Sequence, residues 1–152
     1  MNKECQKYYY KVTSHPKKGT YLSAIVSTPF YQKANITTQY KINEWVESPI
    51  KGSKLFVFDN TKDVANFMYF NYRFYTMQNA VFQCEVKNPK KRGPLTFVDA
   101  EYILTMWKAY RNKKKYNLDS RTSYNPPLGT VWVDAVKLIK RVYINRDGEQ
   151  NE

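Results

Sequence analysis

The chain has 152 residues, with 25 Lys and Arg against 13 Asp and Glu, a formal net charge of +12. An apolar fraction of 42% argues against a disordered polyelectrolyte, and no apolar run approaches the ~20 residues that a membrane-spanning helix needs. One domain with one core, residues 1–152, fits this length without a disulfide or metal staple, its ends frayed over about residues 1–6 and 145–152.

In chain order, Tyr8 to Thr13 and Thr20 to Val26 read as strands, rich in alternating and β-branched residues. Ser14-His15-Pro16-Lys17-Lys18-Gly19 supplies the reversal between them. After a polar stretch containing Pro29, Thr37 to Val46 reads as a strand or irregular segment anchored by Ile42 and Trp45. Lys54 to Phe58 is short and apolar enough for a buried strand, and Asp59-Asn60 can cap a helix over Thr61 to Phe70. There Val64, Phe67 and Met68 recur at helical spacing.

Ala80 to Val86 is a further strand, stopped by Asn88-Pro89. A second helix runs from about Asp99 to Asn112, with Asp99 as its cap and Tyr102, Ile103, Met106, Trp107 and Tyr110 on neighbouring turns. Beyond it lies a polar loop, the strongest candidate for disorder, and Thr130 to Val133 and Val136 to Ile144 close the fold as strands. The expected class is therefore α+β, a mixed and mostly antiparallel sheet with two helices.

Cys5 and Cys84 sit in dissimilar settings, and His15 is the only histidine, so neither a disulfide nor a zinc ligand set is expected. The start, Met1 to Cys5, lacks the apolar centre of a signal peptide, which points to an intracellular, reducing compartment. Five scattered glycines make no phosphate loop, and no nucleophile elbow is present. Cys84 reads as core, His15 as an exposed turn imidazole and Glu85 as the solvent face of its strand.

Tyr10-Lys11-Val12, Tyr21-Leu22-Ser23-Ala24, the Tyr40 segment, Leu55 to Asp59 with Asp63 to Phe67, and Val81 to Val86 follow one another in an order that resembles small ADP-ribosyltransferase-like domains. The resemblance covers about half of the chain. It implies an NAD site in which an early Arg or His, a following Ser or Tyr and a late Glu cradle the cofactor and stabilise an oxocarbenium-like transition state. The matching positions are Lys11, Ser23 and Glu85; Lys11 departs from Arg or His, and the late Glu-x-Glu element is absent.

Basic residues recur through the second half: Lys90-Lys91-Arg92, then Arg111 with Lys113-Lys114-Lys115, then Lys137 with Lys140-Arg141. Tyr110, Tyr116 and Tyr124 interleave with the second group, near Arg121, as rings on which unpaired bases can stack. This pattern favours a small, basic binding module that engages nucleic acid, a nucleoprotein machine or an acidic protein surface, and not a membrane. Its AT-rich style of composition is similar to that of viral or phage accessory proteins, among them inhibitors of host defence, which would place it in host cytoplasm.

Overall fold

A computed structural model of the chain describes residues 7–23, 37–70, 79–91, 97–98, 103–113, 123–124 and 126–151. Strand β1 (Tyr9–Lys17) and strand β2 (Thr20–Ser23) form a hairpin closed by Lys18 and Gly19, the glycine at φ 77°. The reversal is thus shorter than the sequence suggests, because β1 continues through His15 and Pro16. Its register against β2 shifts between Ser14 and Lys17, and its ladder with the neighbouring strand on the other side ends at Ser14. Pro16 therefore interrupts no regular ladder, and a bulge of this kind is one of the contexts in which a strand accepts proline.

Residues Thr37 to Val46, expected as one segment, divide into β3 (Gln39–Tyr40) and β4 (Trp45–Glu47). Asn43 takes a left-handed conformation at φ 64° and breaks the strand between them. Strand β5 (Leu55–Phe58) is buried along its whole length. Helix α1 (Thr61–Phe70) follows, with Asn60 Oδ1 accepting the Asp63 amide at 2.8 Å as its cap. Next come β6 (Asn79–Lys87), β7 (Phe97–Val98) and helix α2 (Ile103–Arg111). The expected start of α2 at Asp99 lies outside the described residues.

Strand β8 (Ser123–Tyr124) pairs with β7, so the loop expected to be least ordered contributes a short ribbon. Strands β9 (Thr130–Val133) and β10 (Ala135–Ile144) complete the strand pair expected at this end of the chain. In the tail, β11 (Gln150–Asn151) turns back on β10. Asn145 Oδ1 closes that turn by accepting the amides of Asp147 and Glu149 at 3.0 and 2.9 Å.

The fold is α+β and dominated by its sheet. Among the described residues, two helices accompany a nine-stranded sheet whose main path runs β11-β10-β6-β1-β2-β3, with every named pair antiparallel. Strand β4 returns to β10, and Ile42, between β3 and β4, makes a parallel bridge to Leu138. The sheet consequently curls back on itself and has two covered faces. Its inner face holds Tyr40, Leu55, Val57, Phe82, Cys84, Val133, Val136 and Leu138. Part of its outer face packs against the helices through Val12, Phe58, Val64, Phe67, Val81, Met106, Trp107 and Val142. Two covered faces explain why β5 and β9 read as continuous apolar runs.

Candidate functional site

Among the described residues, the helices pack against the end of the outer face where Val12, Val81 and Val142 lie. At the other end the β4–β10–β6 ladder aligns Trp45 with Lys137 and Lys137 with Glu85. A bulge at Ile139 follows, since Leu138 pairs with Cys84 but Lys140 pairs with Gln83. Without that extra residue, strand alternation would send Lys140 to the opposite face. The bulge instead places Lys140 beside Lys137, on the face that also bears Gln83, Glu85 and Lys87.

Trp45 is the exposed tryptophan of this protein, 41% accessible, whereas Trp107 and Trp132 are buried at 3% and 4%. Lys87 Nζ stands 4.5 Å and Lys137 Nζ 5.1 Å from the Trp45 ring centroid. Lys137 also pairs with Glu85 at 3.0 Å. Lys87 and Lys140 are exposed, which leaves them accessible to anions. Glu47, opposite Ala135 on the same face, is the second carboxylate there.

The clusters picked out by sequence are distributed around the molecule. Lys90 and Lys91 continue from β6; the Lys90 backbone is fixed by reciprocal 2.8 Å bonds with Trp132, and Lys91 reaches Asp59 only at 3.8 Å. Arg111 and Lys113 are exposed at the end of α2, where the Arg111 stem lies so close against Gly52 that a Cβ there would clash with Arg111 Cδ. Lys113 closes the helix in a left-handed conformation at φ 54°. Arg92, Lys114, Lys115, Tyr116 and Arg121 lie outside the described residues; Tyr124 contributes its backbone to β8. Lys54 and Asn88 hydrogen-bond Asp134 and hold its carboxyl below the usual range at the β9–β10 junction.

The positions suggested by the ADP-ribosyltransferase resemblance do not converge. Lys11 pairs with Phe82 in the β1–β6 ladder and faces the inner core; Glu85, three residues further along β6, faces outward to Lys137. Ser23 is the ladder partner of Thr13 on β2. A cleft of about 430 Å³ is lined by Leu22, Thr38, Gln39, Val46 and Glu47 among others, and neither Lys11 nor Glu85 borders it.

Lys11 is 1% exposed, and its amine end meets aromatic surface and a carbonyl, with no carboxylate paired to it among the described residues. Its Nζ donates to the Phe56 carbonyl at 2.8 Å and stands 4.2 and 5.4 Å from the Phe56 and Tyr40 ring centroids. Desolvation brings its pKa down to about 7, opposed by the nearby Cys84 sulfur. Burial pushes the Cys84 thiol up to about 12 and raises the Tyr40 phenol as well. The Tyr40 hydroxyl is buried without a hydrogen-bond partner of good geometry among the described residues. No group of three or more His, Cys, Asp or Glu side chains gathers as a metal site among the described residues, and no described helix is long and apolar enough to cross a membrane.

Comparison with protein-family models, with curated proteins and with solved structures returns no match.

Proposed function

We propose that this protein is a nucleic-acid-binding module whose interface centres on the open face of β4, β10 and β6. The observation that carries the reading is the bulge at Ile139, which brings Lys140 onto the face that already bears Lys87, Lys137 and Trp45. A charge of +12 spread over the whole molecule attracts any polyanion to it. The bulge supplies local order: cations beside an exposed indole, on rigid strands, where phosphates and a base can be met together. Lys90 and Lys91, just past the end of β6, add two further exposed cations.

Binding to labelled single- and double-stranded oligonucleotides, titrated against salt, tests the proposal. Affinity should fall steeply as salt rises, because each neutralised phosphate releases condensed counterions. Replacing Lys87 and Lys140 together with Gln should weaken binding to all sequences alike and reduce the salt slope by about two. Absence of binding at low ionic strength, or an unaltered slope in a folded double variant, would reject this interface.

A further inference from the structure

The indole of Trp45 stands on the β4 side of this face, beside Lys87 and Lys137, and its surroundings select among nucleic acids. We propose that the face reads single-stranded nucleic acid, one unpaired base stacking on the Trp45 ring while Lys87, Lys137 and Lys140 meet the adjoining phosphates; this rests on the nucleic-acid reading above.

Three observations lead there. Trp45 lies on a short strand of three residues, and the residue is 41% exposed although burying its ring would be worth more to the fold. The groups against that ring are cations: Lys87 and Lys137 lie over it at 4.5 and 5.1 Å. Such a lysine occupies the ring only loosely, since an exposed cation–π contact is weak, and it has a flexible four-carbon stem. An incoming base can therefore take the ring face while the displaced ammonium turns to the phosphate that arrives with it. A duplex offers the phosphates but no open base face, because its bases are already stacked and only their groove edges remain.

The carboxylates sharpen the choice. Glu85 is paired with Lys137 at 3.0 Å, and Glu47 stands opposite Ala135 next to Trp45 in β4. Two acids among the cations weaken purely electrostatic attachment, so stacking must provide a sizeable part of the binding free energy. Charge alone, as at the exposed end of α2, carries no such preference.

Three ligands of equal length decide the matter with the full chain: an oligothymidylate, the same backbone lacking its bases, and a duplex. The oligothymidylate should bind about tenfold more tightly than either of the others, in the range that one stacked base provides. Its binding should quench the solvent-exposed part of the tryptophan emission, since Trp107 and Trp132 are buried. Trp45→Ala should abolish the preference without altering the salt slope, and Trp45→Phe, which keeps a ring, should retain most of it. An abasic strand that binds as well as the oligothymidylate, or a preference that survives Trp45→Ala, overturns the stacking proposal while leaving the nucleic-acid interface intact. Failure of all three ligands to bind at low ionic strength overturns both.

Discussion

Lys11 Nζ donates a 2.8 Å hydrogen bond to the Phe56 carbonyl inside the curled sheet, joining β1 to β5 across 45 residues of sequence. Ring faces of Phe56 and Tyr40 complete its surroundings, and no carboxylate pairs with it among the described residues. A lysine so placed resists protonation: a neutral amine can still donate to one carbonyl, whereas an ammonium would have to be desolvated without a counter-charge.

That arrangement makes stability depend on pH. Between its folded pKa of about 7 and its ordinary value of 10.5, Lys11 holds a proton in the unfolded chain and not in the folded one, so stability rises with pH in that window. Cys84, raised from 9.0 to about 12, acts in the opposite sense: its contribution is complete below pH 9 and is lost as pH climbs toward 12. Tyr40, also raised, adds to that loss at high pH. Melting temperature should therefore increase by roughly 5–10 °C from pH 7 to pH 9, level off while Lys11 and Cys84 offset each other, and decline above about pH 10, at about 1.4 kcal/mol per pH unit for one proton and the entropy of a chain this size. Lys11→Met should flatten the rise and be the more stable protein at pH 7. A wild-type melting curve indifferent to pH between 7 and 9 would show that the amine keeps its ordinary pKa.

Much of the fold was legible because its signals are local. Asn60 caps α1 and Val64, Phe67 and Met68 mark its buried side within ten residues, so Thr61 to Phe70 is found where the sequence places it. Lys11 was not legible in the same way. In Tyr9-Tyr10-Lys11-Val12-Thr13, a lysine alternating with valine reads as the solvent side of a half-buried strand. The second covering layer comes from the sheet itself, through β3, β4 and β10, which are distant in sequence. Trp45 and Lys140 share a face for an equally non-local reason, since one extra residue at Ile139 sets the register, and no composition cue announces a bulge of that kind. The charge excess was visible from the outset; which cations lie together was not.

Lys113 ends α2 at φ 54°, a conformation in which an L-residue's Cβ crowds the backbone and glycine's absent Cβ does not. Lys113→Gly should raise stability by about 1 kcal/mol, read as a melting temperature roughly 2–4 °C higher. The same variant removes one exposed cation at the helix end. If phosphates are met at the β4–β10–β6 face, its salt slope in oligonucleotide binding should stay at the wild-type value, and a slope reduced by one would move α2 into the interface.

The C-terminal turn should prove to be part of the fold. Gly148 adopts φ 79°, and a Cβ there would stand 2.7 Å from Lys62 Cα, while its carbonyl accepts the Thr61 hydroxyl at 2.6 Å. Gly148→Ala should cost about 1–3 kcal/mol, because both the backbone conformation and the contact with the start of α1 oppose a side chain. Asn145→Ala, which removes the acceptor for two amides, should cost about 1 kcal/mol. Denaturant midpoints measure both; values equal to wild type would mean that β11 and its turn come and go in solution without effect on the core.

NAD chemistry provides the sharpest contrast with binding. A glycohydrolase or transferase of the type suggested by the strand order needs its early-strand cation and its late glutamate on one side of a cleft, close enough to hold a single nicotinamide riboside between them. Here Lys11 faces the inner core, where it is 1% exposed, and Glu85 faces outward to Lys137 at 3.0 Å. One sheet layer separates them, and rotamer changes do not carry a side chain through a β-strand. Incubation with NAD should accordingly yield neither free nicotinamide nor ADP-ribosylated product, and Glu85→Gln should leave that outcome unchanged. The same substitution has a different expected effect on nucleic acid: it frees Lys137 from its partner and removes a carboxylate from the binding face, so oligonucleotide affinity should rise and the salt slope steepen by up to about one. Nicotinamide release that disappears in Glu85→Gln would assign that carboxylate a catalytic role and reverse the order of the two readings.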